Sequence, residues 1–304
     1  MTVVNAMRFN DTEGGMVADS QGSKTVRKYT IVEKLRCFTT DNGTSLLAGG
    51  SGVLELLLQV QDQLNAALKG NSLSVAEIAE CTSTLMTTLK RHYIECHLRS
   101  AYGISFEQAL SGHNIGSHLF EPIKQLLAGT RDDLQEFFSN AFLLLGRDTC
   151  GLQLYTVSMT TGAPVPSALP YACIGSGADA SDHILGQHLS RLRKDKRSHL
   201  SLVEGMTLLL RATNIATDFN SGVGGVPTVA YFRHGESITL GEDESRFASE
   251  VVRLQDAQLL TQKASSQTLD QLLHGTTSLQ ELEHRTFRKA RNYDALMRCL
   301  RGYK

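Results

Sequence analysis

The stretch that decides the fold is residues 45–69, SLLAGGSGVLELLLQVQDQLNAALK, in which the spacing of apolar residues changes from that of a strand to that of a helix. Just before it, Asp41-Asn42-Gly43 is a strong hairpin signal, so residues 45–48 are predicted to form the returning strand of a hairpin. After the glycines, apolar residues recur at helical spacing from Ser51 to Lys69. The stretch therefore predicts a strand that ends at a Gly-rich junction and leads directly into a helix.

The N-terminal fifty residues all have the pattern of strands. Residues 2–9 alternate, residues 16–19 are a short apolar run that ends in a carboxylate, and residues 34–38 are a further candidate strand. This part of the chain is therefore predicted to be all β.

Beyond the first helix, helical and strand patterns take turns. Capping boxes at Ser74-x-x-Glu77 and Ser201-x-x-Glu204 each mark the start of a helix, and another helix begins at about Ser181. Predicted strands lie at residues 141–145, 152–160, 171–174, 226–232 and 237–240, and further helical segments lie at residues 106–110, 121–127, 132–138 and from 243 to the end.

The order of elements is strands, two helices, strands, two helices, strands. Antiparallel sheets separated by helix pairs predict helices that cover the outer faces of two sheets. The predicted fold class is therefore α+β, a four-layer αββα sandwich of two antiparallel sheets.

Composition excludes several classes of protein. The 304 residues include 30 basic and 31 acidic side chains, so the net charge does not draw the chain to nucleic acid or to an anionic membrane. No stretch is apolar enough to span a membrane, and the N-terminus lacks the pattern of a secretory signal. The six cysteines form no C-x-x-C pair, so neither a disulfide framework nor a metal site is predicted. We expect a cytoplasmic protein.

Position 2 holds a residue that can combine two catalytic roles. Removal of Met1 would leave Thr2 with a free α-amine beside its own hydroxyl. An α-amine has a pKa of about 7.7–8.0, so it can accept a proton at neutral pH and turn the hydroxyl into a nucleophile. Because many proteins begin with Met-Thr, this feature alone does not establish catalysis.

Six short motifs, taken together, favour a catalytic role for Thr2. They are Thr2-Val3-Val4, Val17-Ala18-Asp19-Ser20, Lys34-Leu35, Leu47-Ala48-Gly49-Gly50-Ser51-Gly52, Ile174-Gly175-Ser176-Gly177 and Asp218-Phe219-Asn220-Ser221-Gly222. In this order they resemble the proteasome β-subunit family of N-terminal-nucleophile (Ntn) hydrolases, including its bacterial relatives HslV and Anbu. The resemblance covers roughly residues 2–97 and 141–240.

The resemblance implies a role for each matching residue. Thr2 would supply both the nucleophile and the base. Lys34 would favour the alkoxide-like form of the hydroxyl, and Asp19 would orient that ammonium. The backbone N–H of Gly49 would bind the oxyanion. The residues expected to position the α-amine and its water are Ser176, Asp218 and Ser221.

The same resemblance implies a first substrate subsite. Its lining would come from Ser20, Gln21 and Ser23 after the catalytic aspartate, and from Leu47 before the oxyanion glycine. Leu47 favours an apolar or mixed preference over an acidic pocket. Gln21 departs from the family, which often has a basic residue there.

Two segments exceed the usual family pattern. The sandwich domain is predicted at residues 2–242, with a helical insertion at about 98–140, and residues 243–304 form a C-terminal helical extension. Either addition could be extra packing around the core, or an oligomer interface or a cap over the site.

Each candidate residue also has an ordinary structural interpretation. Asp19 could end a strand at a turn, Lys34 could be a solvated edge residue, and Gly49 could belong to a tight turn. Gly175-Ser176-Gly177 could be only a loop, and Asp218 and Ser221 could be end-of-helix polar residues.

The resemblance predicts a threonine endopeptidase that needs no metal or organic cofactor. It implies a polypeptide substrate and a ring or open-ring homo-oligomer, and it allows but does not require an AAA+ ATPase partner. Two alternatives stay open, which are a transpeptidase or amidase with the same nucleophile, and a catalytically silent scaffold of the same fold.

Overall fold

A computed structural model of the chain describes residues 2–24, 27–29, 34–41, 43–112, 115–131, 134–197, 199–220 and 223–289. In chain order the strands are β1 (Val4–Arg8), β2 (Gly14–Ala18), β3 (Gly22–Lys24), β4 (Arg27–Tyr29), β5 (Leu35–Thr39), β6 (Ser45–Ser51), β7 (Ala141–Asp148), β8 (Gly151–Ser158), β9 (Val165–Pro166), β10 (Tyr171–Ile174), β11 (Thr228–Arg233) and β12 (Glu236–Thr239). The α-helices are α1 (Leu54–Leu68), α2 (Val75–Tyr102), α3 (Phe106–Ser111), α4 (Phe120–Ala128), α5 (Gln135–Phe138), α6 (Ala178–Arg191), α7 (Leu202–Phe219), α8 (Glu242–Asp256), α9 (Gln262–Leu273) and α10 (Leu279–Lys289).

Two antiparallel sheets form the centre of the described structure. The first has the strand order β10-β1-β2-β11-β12, and the second has the order β5-β6-β7-β8-β9. Strands β3 and β4 pair separately as a two-stranded ribbon, which the sequence did not predict. The predicted α+β class with two antiparallel sheets is confirmed.

Alternation along the strands separates the layers of the sandwich. In β1, Val4 and Ala6 belong to a core cluster that lies between the sheets, whereas Met7 belongs to the cluster under α7. In β7, Leu143 faces the space between the sheets, and Leu144 packs in the cluster under α1 and α2. Because side chains alternate from face to face along a strand, each sheet buries apolar residues on both faces. The result is the predicted αββα sandwich.

The Gly-rich junction at the end of β6 allows close packing on both faces. A Cβ on Gly49 would come within 2.6 Å of side-chain atoms of Met16 and Val4, across the space between the sheets. A Cβ on Gly50 would lie 2.9 Å from side-chain atoms of Leu57 and Phe142. Larger residues would therefore push the layers apart, so the glycine pair has a packing reason that is independent of any catalytic role.

The helix boundaries follow local signals closely. Both predicted capping boxes form, with Ser74 and Ser201 each accepting a hydrogen bond from the N–H of the glutamate three residues later. Helix α2 is followed by the cap residue Gly103, whose φ of 67° places it in the left-handed conformation that favours glycine. None of the helices in the described ranges combines the length and apolarity that a membrane crossing requires.

The two predicted additions pack differently. Helices α3, α4 and α5 surround the second half of α2 and form a small apolar cluster of their own with it. Helices α8 and α9 share the largest core cluster with α7 and with strands β2 and β11. The C-terminal helices are therefore built into one outer layer of the sandwich.

Candidate active site

The centre of the candidate site is a buried ion pair between two strand ends. Asp19 follows β2 and Lys34 precedes β5, and the Lys34 Nζ lies 2.8 Å from Asp19 Oδ1. The two side chains are only 3% and 2% exposed. Lys34 Nζ also donates to the carbonyl oxygen of Gln21 at 2.6 Å, and the Lys34 carbonyl accepts from the Gly50 N–H at 2.9 Å. The lysine is therefore fixed at both its backbone and its ammonium.

The Asp19 carboxylate joins three separate segments of the chain. The oxygen that binds Lys34 also accepts a hydrogen bond of 2.8 Å from the Val3 N–H. Its other oxygen accepts from the Gly224 N–H at 3.2 Å, in the loop after α7. Because Val3 N and Lys34 Nζ share one oxygen, the ammonium lies beside the peptide that follows Thr2.

Burial works against both charges of this pair. Removal from water raises the pKa of Asp19, while the Lys34 charge and the hydrogen bonds from Lys34, Val3 and Gly224 oppose that rise. Burial also lowers the pKa of Lys34, against the attraction of Asp19. The attraction of Asp19 thus favours the charged form of Lys34, which is the form that can stabilise negative charge on a nearby oxygen.

A loop between β10 and α6 surrounds the backbone of Thr2. The Thr2 nitrogen donates to Ser176 Oγ at 3.2 Å, and the Thr2 carbonyl accepts from the Gly177 N–H at 3.2 Å. Gly175 has a φ of 95°, and a Cβ there would overlap the Thr2 carbonyl. Asn220 Nδ2 donates to the Ser176 carbonyl at 3.0 Å. The nitrogen that Ser176 contacts is the one that becomes an α-amine when Met1 is removed.

The structure brings Thr2, Asp19, Lys34 and Ser176 together within this network. Gly49 lies inside β6, paired with Leu35 of β5 and Leu143 of β7. The role of its N–H at the oxyanion stays a prediction.

The remaining predicted positioning residues are Asp218 and Ser221. Asp218, in the last turn of α7, forms an ion pair of 3.0 Å with Arg253 of α8. Ser221 lies outside the described residues. Their roles at the α-amine also stay predictions.

The predicted substrate-binding residues have different surroundings. Ser20 and Gln21 are each 8% exposed, next to the ion pair, and Gln21 N donates to the Gly224 carbonyl at 2.9 Å. Ser23 pairs with Lys28 across the ribbon. Leu47 is fully buried in the cluster between the sheets. The place of these four residues in a substrate subsite stays a prediction.

Sequence reasoning missed two groups that contact this network. The Asn220 side chain holds the Ser176 carbonyl, and the Gly224 N–H holds Asp19. Asn220 belongs to the motif around Asp218, so its position was within the noticed pattern, whereas nothing in the sequence distinguishes Gly224 from the glycines beside it. Among the residues that the structure describes, no three His, Cys, Asp or Glu side chains come together as a metal site would require.

Comparison with known proteins finds similarity in the three-dimensional structure. No family model and no curated protein matches the sequence. The structure is similar to that of Anbu (ancestral beta-subunit) from Yersinia bercovieri, with a TM-score of 0.55 and 16% identity over 79% of this chain and 88% of that chain. It is also similar to an Anbu (Gly-1) mutant from Hyphomicrobium sp. strain MC1, with a TM-score of 0.54 and 14% identity over 79% of this chain and 87% of that chain. The similarity that the motifs predicted is confirmed in the architecture, and the chain shares the fold of Anbu.

Proposed function

We propose that this chain is a threonine-type Ntn hydrolase in which Thr2, exposed by removal of Met1, attacks peptide bonds. The observation that carries the proposal is the shared oxygen of Asp19. One carboxylate oxygen binds both the Val3 N–H and the Lys34 ammonium at 2.8 Å, so a buried cation is held next to the residue that would be the nucleophile. A structural ion pair alone has no need of this link to the N-terminal segment.

Each residue of the network has a role in the proposed reaction. The α-amine of Thr2 takes the proton of its own hydroxyl while the oxygen attacks the peptide carbonyl carbon. Lys34 stabilises the negative charge that grows on the attacking oxygen, and Ser176 orients the amine. The predicted donor to the oxyanion is the Gly49 N–H.

The reaction then proceeds through an ester. The carbon–nitrogen bond of the substrate breaks, the departing amine takes the proton from the α-amine, and the acyl group stays on the Thr2 oxygen. Water, deprotonated by the same amine, attacks the ester and restores the hydroxyl. The chemistry uses only groups of this chain and water.

The resemblance to proteasome-type subunits extends the proposal to the assembly. The substrate would be an unfolded polypeptide, cleaved inside a ring or open-ring homo-oligomer, with an AAA+ ATPase as an optional supplier. The setting would be the cytoplasm. Residues 2–242 would form the catalytic domain, with residues 98–140 and 243–304 as additions to it.

The amidase or transpeptidase interpretation stays open beside the peptidase. Thr2 is 6% exposed in the intact chain, where Met1 still precedes it, so this burial does not describe the site after Met1 is removed. The amidase or transpeptidase alternative uses the same acyl-enzyme. A silent scaffold of the same fold does not require the buried Asp19–Lys34 pair beside Thr2, so this pair favours the two reactive alternatives.

Intact-protein mass spectrometry tests the proposal directly. The purified chain is measured before and after treatment with an epoxyketone or β-lactone probe that reacts with N-terminal threonine, and Thr2→Ala is the matched control. We expect loss of Met1 and a single adduct in the wild-type chain, and no adduct in the Thr2→Ala variant. Retained Met1, or an adduct of equal size in the control, would contradict the proposal.

A further inference from the structure

The loop at residues 175–177 can position the Thr2 amine only if the loop itself is held. Ser176 contacts Thr2 with its hydroxyl, which accepts from the Thr2 nitrogen and lies 3.4 Å from the Thr2 carbonyl oxygen. Gly177 adds the N–H that binds the same carbonyl. A change in the path of this short loop would therefore move every one of these groups together.

Asn220 supplies a side-chain anchor to this loop from outside it. Its Nδ2 donates to the Ser176 carbonyl at 3.0 Å, 44 residues away along the chain. Because the carbonyl and the hydroxyl belong to one residue, the anchor fixes the backbone from which Ser176 Oγ reaches Thr2. We propose that Asn220 is a positioning residue, which holds the Ser176 loop so that the α-amine of Thr2 stays aligned with its own hydroxyl. This inference rests on the proposed function.

The backbone around Asn220 is well suited to serve as a fixed platform. The Asn220 N–H closes the last turn of α7 on the Ala216 carbonyl at 3.0 Å, and the Asn220 carbonyl accepts from the Val223 N–H at 3.0 Å. Two residues before it, Asp218 is bound by Arg253 of α8. The same arginine reaches the Asn214 carbonyl at 3.4 Å. The end of α7 is thus tied to its neighbouring helix, and Asn220 transmits that rigidity to the loop.

Loss of the Asn220 amide should affect the amine in two ways. The loop would sample positions in which Ser176 no longer faces Thr2, which lowers the fraction of aligned nucleophile. An ammonium that loses a hydrogen-bond acceptor is less favoured, so the pH at which the amine becomes a free base should fall. Asp19 and Lys34 lie beside the peptide that follows Thr2. Asp179 is in the first turn of α6, two residues after Gly177, and Asp218 of α7 pairs with Arg253 of α8. All of them are retained in an Asn220 variant.

The test compares Asn220→Ala with the wild-type chain and with Asn71→Ala. Asn71 is a matched control, because its Nδ2 also donates to a backbone carbonyl, that of Ala67, at the end of helix α1. The rate of probe addition to Thr2 is followed from about pH 5.5 to pH 9 in all three proteins. We expect the plateau rate of Asn220→Ala to fall about tenfold and its midpoint to move to lower pH, while Asn71→Ala matches the wild type.

Amide hydrogen exchange supplies a readout that does not depend on chemistry. The peptide that contains residues 175–178 should exchange at least several-fold faster in Asn220→Ala than in the other two proteins. If Asn220→Ala matches the wild type in plateau rate, midpoint and exchange, the inference is overturned. A wild-type chain that takes no probe would instead overturn the proposed function, and the exchange comparison would still decide whether Asn220 holds the loop.

Discussion

A single carboxylate, that of Asp19, binds the N-terminal segment, the lysine before β5 and the loop after α7. Asp19 is 1% exposed, so its charge depends on these partners and not on water. The same residue thus stabilises the fold at this point and orients the groups of the proposed reaction. Substitutions here will affect both, and experiments must separate the two effects.

The Lys34→Met variant tests how much the Asp19–Lys34 ion pair contributes to the stability of the fold. It leaves a buried carboxylate without its cation, and breaking such a pair commonly costs about 3–5 kcal/mol. We expect a loss of that order in the free energy of unfolding, measured by urea denaturation, together with loss of probe addition at Thr2.

The double variant Asp19→Asn, Lys34→Met separates stability from reactivity. It removes both charges but keeps an amide oxygen that can accept from Val3. We expect it to regain part of the lost stability and to remain unreactive. A double variant that reacts with the probe would show that the ion pair has no part in activating Thr2.

The pH dependence of stability decides whether burial or ion pairing governs Lys34. Its pKa is lowered from the ordinary 10.5, chiefly by burial, so the unfolded chain binds this proton more strongly than the folded chain. Stability rises with pH wherever the unfolded state holds more protons. Between the lowered value and 10.5, the wild-type chain should therefore gain stability relative to Lys34→Met. Urea unfolding of both proteins at several pH values up to 10.5 measures this difference, and a relative loss would mean that the attraction of Asp19 outweighs burial.

Among the elements, helix α1 contains an unusual polar residue on its buried face. Gln61 is fully buried, and neither its amide oxygen nor its amide nitrogen has a hydrogen-bond partner in the described structure. It lies on the helix between Val60 and Leu64, which both belong to the core cluster under α1 and α2. A buried amide without partners costs roughly 1–3 kcal/mol.

The Gln61→Leu variant should therefore stabilise the protein, by about 1–3 kcal/mol, because it removes that cost and keeps a similar volume. Chemical denaturation monitored by circular dichroism gives the change in free energy. Gln59→Leu, at an exposed position of the same helix, is the control and should stay within about 0.5 kcal/mol of the wild type. A destabilised Gln61→Leu protein would indicate that the amide does have a partner in solution.

The secondary-structure elements also show which features could be predicted from the sequence and which could not. The change of period around Gly49 predicted the strand and the helix correctly, because both patterns are long and local. Asp19 and Lys34 were found through short motifs at strand ends. Asn220 and Gly224 were not found, because their contacts depend on the path of the loop after α7. That path is set by tertiary packing and leaves no periodic signal in the sequence.

Leu47 shows a different limit. Its expected place in a substrate pocket came from the family resemblance, in which residues just before the oxyanion glycine line the first subsite. Leu47 and Gly49 lie on the same face of β6, and in the structure that face packs against the other sheet, where a Cβ on Gly49 would come within 2.6 Å of Met16 and Val4. The resemblance thus placed Leu47 next to a candidate residue along the chain, whereas tertiary packing decides what covers its side chain.

At the scale of the whole molecule, the two helical additions differ in how they are joined to the sandwich. Helix α8 is joined to α7 by Arg253 with Asp218, by Asp256 with Arg211, and by a buried hydrogen bond of 2.6 Å from Ser249 to Asn214. The end of α9 is tied to β11, whose Tyr231 hydroxyl donates to the Leu273 carbonyl at 2.6 Å. These contacts, with the shared core, make the C-terminal helices part of the cooperative unit.

The insertion at about residues 98–140 is less firmly attached to the sandwich than the C-terminal helices are. The cluster formed by α3, α4, α5 and the second half of α2 is small. Two large apolar side chains of these helices, Leu110 of α3 and Phe120 of α4, are 64% and 50% exposed. The small cluster meets the cluster under α1 and α2 through the aromatic stack of Tyr93 on Phe137, whose ring centres are 3.7 Å apart. A region with few buried apolar contacts can open without unfolding the rest.

Native-state hydrogen exchange should therefore divide the molecule into two units. Amides of α8 should exchange only with global unfolding, with the same dependence on denaturant as those of β2 and β11, because they share one core. Amides of α4 should exchange through a local opening that lies about 2 kcal/mol or more below the global value and depends little on denaturant. If α8 opened before the sandwich, the C-terminal helices would be a separable extension. If α4 opened only together with β2, the insertion would belong to the same cooperative unit as α8. It could then not act as a cap or interface that moves independently of the sandwich.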